Sequence, residues 1–472
     1  MRRPRNNEDL REYRIIENKK RSEKPFRSLH LMEKDLKVAL IFPSDYGTAI
    51  SNLGFHKVFE LLNNLDGIQC ERFYYDNKFS KFYSLDTFRP LDEFHIWAFS
   101  VSFEMDFINV IHILSQKKIP LINTQRTDHH PLIILGGAVT YFNPNALWQY
   151  VDLIFQGDAE DNLPELMNRL LESFRAKRNR TLILKDLEQI ENLSIPPLNH
   201  QSAIVAKSFQ LTDHPSVSLF MSKHSVFPNK VLLEIGRGCL RRCSFCVAGH
   251  TRSPARFVKI NAINQVLDEI KKKGYNDCGL ISATFTDHPQ KNQILDLLEE
   301  KDMHFSVSSL RLDSLSKKLI EGLIRSGQRE ITIAPEGGSQ KIRDIMNKQI
   351  TEADIEKSLK LISECGLKKL KMYFIYGLEE EDESDFQAIA KIVQHAIHSG
   401  IPDIKISLNP LIPKPGTPFS YRRIEDIKTL KAKKQFIEHQ IGKTAELKFE
   451  SIRNSIIQYQ IANATKDYRF SL

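Results

Sequence analysis

Three cysteines stand close together in the middle of the chain, at Cys239, Cys243 and Cys246. Three residues separate the first two and two residues separate the last two, so the thiolates can wrap one face of a metal cluster. Iron–sulfur clusters are normally held by four thiolates, so a loop with three leaves one iron open to another ligand. Nearby arginines would offset the negative charge of such a cluster: Arg237, Arg241 and Arg242.

A structural zinc site is the main alternative for this loop. His250 follows four residues after Cys246 and completes a set of three cysteines and one histidine that suits tetrahedral zinc. A disulfide is a weaker explanation, because one thiol stays unpaired and the expected compartment is reducing. The remaining cysteines are isolated in the sequence, at Cys70, Cys278 and Cys365. Isolated cysteines of this kind are most often small, buried, hydrophobic residues.

Length and composition indicate an ordinary globular protein of several domains. The 472 residues correspond to two or three domains at about 150 residues each. The chain is 41% hydrophobic and 27% charged, which excludes a largely disordered or collagen-like protein. It has no apolar run of the ~18 residues that span a bilayer, and its first residues lack a signal-peptide or transit-peptide pattern. We expect a cytoplasmic protein with no membrane span.

The positive charge is concentrated at the two ends of the chain. Residues 1–34 and residues 421–472 each carry 11 Lys and Arg against 6 Asp and Glu, whereas the net charge of the whole chain is only +8. Basic ends can attract RNA, but solvated and partly disordered ends have the same composition. The sequence therefore predicts a basic, flexible extension over 1–34, with nucleic acid as a possible but unsupported partner.

Residues 35–170 alternate strand-like and helical patterns. Such alternation predicts a doubly wound parallel sheet of the flavodoxin type, in which ligands bind beyond the carboxyl ends of the strands. Gly136, Gly137 and Gly157 follow predicted strands and would allow a ligand to approach the backbone closely. The predicted strands are 36–42, 96–100, 132–135 and 153–155, and the predicted helices are 51–62, 106–116 and 161–174.

A second regular block is predicted after a charged linker at 171–229. Over 230–423, six strand–helix repeats indicate a partial (β/α)6 barrel, whose active site belongs at the carboxyl ends of its strands. The cysteines lie in its first strand-to-helix loop. Residues 424–472 are predicted to form a helical, basic extension. The six predicted strands are 231–235, 278–282, 305–308, 331–334, 371–375 and 404–407.

The spacing C-x-x-x-C-x-x-C, with Phe245 before the last cysteine, resembles the signature of the radical S-adenosylmethionine superfamily. The longer string EIGRGCLRRCSFC resembles the subgroup with an amino-terminal cobalamin-binding domain, and the resemblance runs from about 36 to 420. It implies a 4Fe–4S cluster on the three cysteines. It also implies that the open iron binds S-adenosylmethionine, which one electron cleaves to a 5′-deoxyadenosyl radical.

Further segments resemble the superfamily in the same order. Ser308 and Arg311 stand where the methionine part of S-adenosylmethionine is held, and a guanidinium suits a carboxylate. Glu336 and Ser339 lie in a segment like PExGS that contacts ribose or the amino group, and Gly377 stands where backbone meets adenine. The late string PLIPKPGTP resembles a turn that closes the barrel. A buried Arg–Glu ion pair is the structural alternative for Arg311 and Glu336.

The amino-terminal block resembles the cobalamin subgroup with one departure. Residues 51–54, 102–104, 136–137 and 157–160 stand where that subgroup shapes its corrin pocket. No Asp-x-His-x-x-Gly occurs there, so the histidine that usually lies beneath the cobalt is missing. Cobalamin-dependent radical enzymes often lack this ligand. A degenerate domain without cofactor would look the same.

These features predict a radical enzyme, supplied by a one-electron donor such as flavodoxin or ferredoxin, that transfers a methyl group or otherwise functionalises a C–H bond. Its acid and base residues are not assigned, although Asp287 and His288 are pocket candidates. A tRNA methylthiotransferase-like enzyme is one alternative, but it should have three more amino-terminal cysteines, and only Cys70 precedes the trio. A zinc-stapled RNA-binding protein that uses the basic ends is another.

Overall fold

The computed structural model describes residues 7–29, 31–202, 211, 213–307 and 310–470. The chain divides into two compact units. Unit 1 is built from 1–209, 216–232 and 461–472, and unit 2 from 210–215 and 233–460. No helix within the described residues is long and apolar enough to cross a membrane.

Unit 1 contains a six-stranded sheet in the order β3-β2-β4-β5-β6-β7. Neighbouring strands from β3 to β6 are parallel, and β7 is antiparallel to β6. The five parallel strands have the 2-1-3-4-5 order of flavodoxin-like folds, which confirms the predicted doubly wound class. The strands up to residue 222 are β1 Glu23–Pro25, β2 Leu36–Phe42, β3 Ile68–Tyr74, β4 Ile96–Ser100, β5 Leu132–Gly136, β6 Leu153–Phe155, β7 Leu193–Ser194 and β8 Phe220–Ser222.

The helices of unit 1 begin at polar caps and bury one apolar side. Asn52 and Asn179 accept the backbone N–H groups of Phe55 and Leu182, which lie in the first turns of two of these helices. Apolar positions at helical spacing then face the sheet. The helices are α1 Asn7–Arg21, α2 Tyr46–Ile50, α3 Leu53–Asn64, α4 Phe107–Gln116, α5 Ala159–Arg175 and α6 Arg180–Asp186.

The prediction of a flexible extension over 1–34 is wrong for the residues of this stretch that the structure describes, because they include a helix and a strand. α1 and β1 occupy much of this stretch, and β1 pairs with β8. Ile16 is completely buried, and the buried Glu12 carboxylate accepts backbone N–H groups of Ser80, Lys81 and Tyr83 at 2.9–3.1 Å. The high charge of the segment led to the prediction of a flexible extension. Several of these charged groups have partners inside unit 1, which the sequence pattern does not reveal.

The predicted linker over 171–229 also contains regular structure. It includes the end of α5, all of α6, β7 and β8. Arg180 explains why this charged stretch packs, since its guanidinium reaches the buried Asp152 at 2.6 Å and accepting carbonyls of the 127–131 loop. Residues 203–210 and 212 lie outside the described residues.

A buried ion network explains why β3 escaped prediction. This strand reads IQCERFY, and every residue in it is buried despite three polar side chains. Arg72 donates to both oxygens of Glu23 at 2.9 and 3.0 Å and to Asp86 at 2.7 Å. Its guanidinium also lies 4.0 Å from the ring centre of Phe220. Charges that satisfy one another within the fold do not produce an apolar strand pattern.

Unit 2 holds a three-stranded sheet, β13-β12-β9, and a four-stranded parallel sheet, β14-β15-β16-β17. Along β15 and β16 buried residues alternate with less buried ones, and the buried set includes Met372 and Ile406 in a core with Leu359 and Ile392. The strands are β9 Val231–Glu234, β10 Gly236–Arg237, β11 Arg256–Phe257, β12 Asp277–Ile281, β13 His304–Val307, β14 Glu330–Glu336, β15 Lys369–Tyr376, β16 Asp403–Pro410 and β17 Glu446–Phe449.

The helices after residue 240 alternate with the strands of these two sheets, and the last of them lies in the carboxyl-terminal part of the chain. Two begin with a capping box, at Thr351 and at Asp382, where each cap side chain and the third helical residue satisfy one another's backbone N–H groups. They are α7 Ala248–Thr251, α8 Ile260–Lys272, α9 Lys291–Glu300, α10 Lys317–Arg325, α11 Gln340–Ile345, α12 Glu352–Glu364, α13 Glu383–His398, α14 Ile427–Ile441 and α15 Ile452–Ala462.

The carboxyl-terminal region corrects two predictions. Residues 424–472 are not only a helical extension, because β17 lies in them and pairs in parallel with β16. The six predicted repeats therefore become seven strands across the two main sheets. β17 reads ELKF, and its alternation of exposed and half-buried residues is too short and too polar to predict a strand.

We expect the Arg72 network to dominate the stability of unit 1. Arg72→Met leaves the two buried carboxylates with only the partly exposed Lys20 as a cation, which should cost about 3 kcal/mol in the free energy of unfolding. Denaturant unfolding of the full chain measures this loss. Arg21→Met is the matched control, because its ion pair with Glu17 is exposed and should contribute little. Equal stability of the two variants would contradict the prediction.

Candidate functional site

The three cysteines lie in the loop that follows β9 and β10. β10 pairs with β11, so an antiparallel ladder closes the base of the cysteine loop, defined here as residues 238–255. All three thiols are free; Cys243 is buried, whereas Cys239 and Cys246 are partly exposed. The chain thus presents three thiols of different accessibility within one loop at a strand end of unit 2.

Hydrogen bonds to its main chain, one of them from the Asn347 side chain, dock the cysteine loop onto later parts of unit 2. The Ser244 N–H donates to the Met346 carbonyl at 2.8 Å, and the Asn347 amide donates to the Arg242 carbonyl at 2.8 Å. The Phe419 N–H donates to the Ser244 carbonyl at 3.1 Å. The end of α11 and the turn after the PLIPKPGTP string therefore hold the loop from two sides.

Two glycines let the cysteine loop fold tightly on itself. Gly238 has φ +81°, and a Cβ there would lie 2.3 Å from the Arg252 carbonyl oxygen. A Cβ on Gly249 would lie only 1.8 Å from the Arg241 carbonyl oxygen. Any side chain at Gly249 must therefore move the backbone that carries the cysteines.

Two of the thiols lie near the buried Lys348, and one of them, Cys243, also lies near the buried Arg311. Burial raises the pKa of Cys243 and Cys246, and the positive charge of Lys348 acts in the opposite direction on both. The Lys348 ammonium lies 3.3 Å from a Glu336 carboxylate oxygen and 5.9 Å from the ring centre of Phe245. Lys348 was not a sequence candidate, because a single lysine after a short helix has no pattern that marks it as buried.

Glu336 is held in an unusual backbone conformation. Its φ is +67°, at a point where the register between β14 and β15 shifts. Left-handed geometry at a non-glycine residue costs about 1–3 kcal/mol and is concentrated at functional sites. Together with Lys348, Glu336 supplies one negative and one positive group close to the thiols.

Arg311 has partners within the chain. Its guanidinium donates to both Asp313 oxygens at 2.9 and 3.0 Å and to the carbonyl oxygens of Lys348 and Gln349 at 3.0 and 3.2 Å. Burial raises the pKa of Asp313, but the pairing with Arg311 outweighs this and holds it below its usual range. The acid partner is therefore Asp313 and not the Glu336 of the structural alternative. Arg311 therefore holds the backbone of Lys348 and of the residue that follows it.

The two pocket candidates Asp287 and His288 also have partners. Asp287 accepts from the Arg241 guanidinium at 2.7 Å, and so anchors a cysteine-loop residue to the turn after β12. The His288 ring lies 3.1 Å from the Val258 carbonyl oxygen through one nitrogen, and its other nitrogen accepts the Gln290 N–H. Both side chains organise the loops around the cysteines.

His250 does not join the thiols as the zinc interpretation requires. Its Nε2 lies 3.0 Å from the Cys243 carbonyl oxygen. Within the described residues, no three side chains among His, Cys, Asp and Glu are arranged to hold one metal ion. The arrangement disfavours tetrahedral zinc, whereas three thiolates on one cluster bind three different irons and need not surround a single ion.

The segment after β14 is stabilised by the buried Arg343, another residue that sequence analysis missed. Arg343 is completely buried and donates to the carbonyl oxygens of Gly337 and Gly338 at 3.1 and 2.8 Å. Ser339 caps α11 by accepting the Ile342 N–H and donates to Asp385 at 2.5 Å. Ser339 is thus a structural cap in this arrangement, and Ser308 lies outside the described residues.

Gly377 lies directly after β15 with φ +97°. Its N–H and that of Leu378 donate to one Glu381 oxygen at 2.8 and 3.1 Å. The two N–H groups of this turn are therefore taken within the chain and are not free to donate to a ligand.

In unit 1, the carboxyl edge is the edge of the sheet where the parallel strands end. The strand order reverses between β2 and β4, which is where ligands bind in doubly wound folds. Side chains join the loops there: Asn52 donates to Ser102 at 3.0 Å, and Asn109 donates to the Pro43 carbonyl at 2.8 Å. The sequence candidates 51–54 and 102–104 are brought together at this point.

The three candidate glycines differ in what surrounds them. A Cβ on Gly136 would meet nothing within 4 Å. Gly137 has φ +100°, and its Cβ would lie 2.4 Å from the Val101 carbonyl oxygen, so it serves close packing of the backbone. Gly157 has φ +111°, and its Cβ would make ordinary contact with Asn192. Only Gly136 combines the carboxyl edge with open space.

Three histidines of unit 1 have hydrogen-bond partners within the fold: His56, His95 and His112. The buried His56 accepts the Leu219 N–H at 3.1 Å, and His112 lies 2.9 Å from the Tyr75 hydroxyl. His95 precedes β4 and lies at the opposite edge of the sheet. His224 lies closer to the carboxyl edge, since its carbonyl oxygen would be 2.7 Å from a Cβ on Gly47, just beyond β2.

The two units define a class of protein: a doubly wound domain joined to a partial barrel whose first loop carries three thiols. Residues 54–196 match the family model described as radical SAM proteins, N-terminal, and residues 233–393 match that of the radical SAM superfamily. The matched segments together cover more than half of the chain. The protein belongs to the radical SAM superfamily, as predicted.

Similar proteins include two curated relatives. An uncharacterized protein of Methanocaldococcus jannaschii is 26% identical over 434 residues, which are 91% of this chain and 89% of that protein. A tRNA-2-methylthio-N(6)-dimethylallyladenosine synthase of Pelagibacter ubique is 23% identical over 359 residues, 72% of this chain and 73% of the synthase.

Two solved structures have a similar fold. The radical S-adenosylmethionine methyltransferase TsrM from Kitasatospora setae, with cobalamin and a 4Fe–4S cluster bound, gives a TM-score of 0.53 at 14% identity over 82% of this chain and 77% of TsrM. The cobalamin-dependent S-adenosylmethionine radical enzyme OxsB gives 0.52 at 16% identity over 87% of this chain and 58% of OxsB. The likeness confirms the fold, a doubly wound domain followed by a radical SAM barrel.

We expect Gly249→Ala to displace the cysteine loop. The added Cβ would overlap the Arg241 carbonyl, and overpacking of this kind costs typically ~1–3 kcal/mol. The buried Cys243 thiol should then be alkylated faster in the native, metal-free protein, as measured by mass spectrometry. Gly54→Ala is the control, because its Cβ would meet only the Asn52 side chain at 3.2 Å. Identical alkylation of Cys243 in both variants would show that the close approach at Gly249 is unimportant.

Proposed function

We propose that this radical SAM enzyme binds a 4Fe–4S cluster through Cys239, Cys243 and Cys246, together with S-adenosylmethionine and cobalamin. The proposed reaction is methyl transfer, or another functionalisation of an unactivated C–H bond, on an organic substrate. The observation that carries the proposal is the docked three-thiol loop with the Lys348–Glu336 ion pair beside it.

The loop fits a cluster chemically. Three thiolates in one loop can hold three irons and leave the fourth open, and the docking bonds fix the loop without using the thiols. Lys348 and Arg241 supply positive charge against the net negative charge of a thiolate-bound cluster. When bound, the cluster passes one electron from an external donor such as flavodoxin or ferredoxin to S-adenosylmethionine, whose carbon–sulfur cleavage gives a radical, and cobalamin supplies a transferable methyl group.

S-adenosylmethionine is proposed to bind between the cysteine loop and the ends of β14 and β15. Its methionine part carries one amino and one carboxylate group, and Glu336 with Lys348 offers the two complementary charges. Arg311 and Ser339 are proposed to shape this site through the residues they support, since both have partners within the chain. Gly377 is proposed to meet the adenine, and Ser308 remains a sequence candidate.

Cobalamin is proposed to bind at the carboxyl edge of unit 1. The flavodoxin-type strand order puts the binding position between β2 and β4, and Gly136 leaves room at the neighbouring strand end. Gly137 and Gly157 support the shape of the loops. With His56 and His112 in use within the fold, we propose that no protein histidine lies beneath the cobalt.

Methylthiolation is a weaker second candidate, although a methylthio-adenosine synthase is among the relatives. A second cluster would need further cysteines in unit 1, and Cys70 is the single cysteine before the trio. Cys70 is fully buried in β3, and burial raises its pKa well above the usual range, which opposes metal binding. A cytoplasmic location is part of the leading proposal, because free thiols persist in a reducing compartment.

We expect the three loop cysteines to act as one unit. Cys239→Ala, Cys243→Ala and Cys246→Ala should each abolish cluster binding, because a two-thiolate loop leaves two irons without protein ligands. Iron and sulfide per chain after anaerobic reconstitution measure this.

The controls for this experiment are Cys278→Ala and Cys365→Ala, which should bind iron and sulfide as the unmodified protein does. Normal iron and sulfide in Cys243→Ala protein would refute the cluster assignment. Loss of stoichiometric zinc in His250→Ala protein would instead support the zinc site.

We expect Gly136→Val to prevent cobalamin binding while the protein stays folded. Its side chain would fill open space at the carboxyl edge, whereas Gly137→Val meets the Val101 backbone and should unfold unit 1. Corrin absorbance after gel filtration measures binding, and thermal unfolding separates the two effects. A Gly136→Val protein that is folded and still binds cobalamin would move the site elsewhere.

The ligand beneath the cobalt can be tested by paramagnetic resonance of the reduced cob(II)alamin form. A nitrogen ligand splits the cobalt signal, and we expect no splitting from the protein. A splitting that is present in the unmodified chain and lost in His224→Ala or His112→Ala would overturn the histidine-free site. If no corrin binds at all, unit 1 is a degenerate domain, and the methyl-transfer proposal fails with it.

A further inference from the structure

We propose that Lys433, from a helix beyond the segment matched by the superfamily model, is a positioning residue for the nucleoside part of S-adenosylmethionine. Together with Glu381 and Glu425 it forms the Lys433 network, which fixes the backbone of Gly377 and Leu378. This inference rests on the proposed function, because it assigns Gly377 to the adenine side of that site.

The Lys433 ammonium makes three contacts at hydrogen-bond distance. It donates to the Leu378 carbonyl at 2.6 Å, to Glu425 at 2.6 Å and to Glu381 at 3.1 Å. The same Glu381 oxygen accepts the N–H groups of Gly377 and Leu378 at 2.8 and 3.1 Å. One lysine and one carboxylate thus hold three of the four backbone polar groups of this two-residue turn.

Packing fixes the same turn from a second direction. A Cβ on Gly377 would lie 2.8 Å from Cδ2 of Leu430, which is completely buried on α14. The preceding carbonyl, of Tyr376, accepts the Leu411 N–H at 2.7 Å. α14 therefore touches the turn through an apolar side chain at Leu430 and through an ion pair at Lys433, less than one helical turn further on.

The network is buried, so its charges depend on one another. The side chains of Glu381, Lys433 and Glu425 are 3%, 12% and 11% exposed. Burial raises the pKa of Glu381 to about 7, although Lys433 and the two backbone N–H groups pull it down. Without Lys433, the Glu381 carboxyl would be protonated at neutral pH and would accept the N–H groups more weakly.

The fixed turn at Gly377 and Leu378 should matter more for the adenine part of S-adenosylmethionine than for its methionine part. The methionine part is assigned to the open iron and the Lys348–Glu336 pair, which share no contact with the Lys433 network among the described residues. The adenine part would lie against the turn itself. Loosening the network should therefore weaken binding of the nucleoside while it spares binding of methionine.

The experiment compares reconstituted full-length Lys433→Met protein with the unmodified protein. Anaerobic equilibrium binding is measured for S-adenosylmethionine, 5′-deoxyadenosine and methionine. We expect affinity for the first two to fall roughly tenfold, as for a lost charged hydrogen bond. Affinity for methionine and iron per chain should not change. Lys431→Met is the matched control, because Lys431 is exposed on the same helix.

A second variant keeps the inference testable if Lys433→Met folds poorly. Glu381→Gln retains one acceptor oxygen and removes the charge. On its own, Glu381→Gln should weaken binding of S-adenosylmethionine and 5′-deoxyadenosine and leave methionine binding unchanged, because it breaks the same network; unchanged binding of all three ligands would overturn the inference.

Each outcome separates the two proposals. Unmodified protein that binds none of the three ligands removes the proposed function and this inference together. Unmodified protein that binds S-adenosylmethionine while Lys433→Met binds it equally well overturns this inference alone. Equal weakening for methionine and 5′-deoxyadenosine, or loss of iron from Lys433→Met, would assign the network to the stability of the barrel instead.

Discussion

The docking of the cysteine loop by backbone hydrogen bonds is the interaction on which the site depends. A loop that offers its thiols to a metal group cannot use them to hold itself in place. Here the Ser244 N–H and carbonyl bind the chain after α11 and the Phe419 turn, and Gly249 admits the Arg241 carbonyl at a distance that no side chain permits. The thiols are therefore positioned by groups that take no part in the chemistry.

The charged side chains near the cysteine loop are paired with one another. Arg241, Asp287, Asp313 and Arg311 form a chain of ion pairs between the loop and neighbouring strand ends. Lys348 stands inside this chain, paired with Glu336 and close enough to the thiols to oppose the effect of their burial. Each cation of this set has a carboxylate partner, and Lys348 with Glu336 presents one positive and one negative charge beside the loop.

The sequence predicted the repetitive and local features well. Apolar strands such as β2 and β5 and the alternation of strands with helices led to the correct fold class, and the spacing of Cys239, Cys243 and Cys246 led to the superfamily. The resemblance of one segment to PExGS also marked Glu336, whose left-handed backbone only the structure reveals. Features that depend on motif spacing or periodicity can be read from one chain in this way.

Features that depend on distant partners could not be predicted. β3 is a buried strand with a buried arginine, and it makes sense only beside Glu23 and Asp86, which lie 49 and 14 residues away. Lys348, Arg343 and Lys433 are ordinary charged residues of helical regions until the carbonyls and carboxylates they reach are known. Their signal lies in the pairing, which spans 5 to 12 residues for Arg343 and Lys348 and more than 50 for Lys433, and in none of these cases does it follow a helical or strand period.

Unit 1 is formed by three separate segments of the chain, and this has a consequence for its folding during translation. Asn143, in the middle of that unit, donates to the carbonyls of Ala462 and Ala464 at 2.9 and 3.0 Å. A ribosome produces those residues only after it has synthesised all of unit 2. If unit 1 folds first during translation, its doubly wound sheet forms before the segment that contacts Asn143 has been synthesised. The nascent chain has to complete its first unit last.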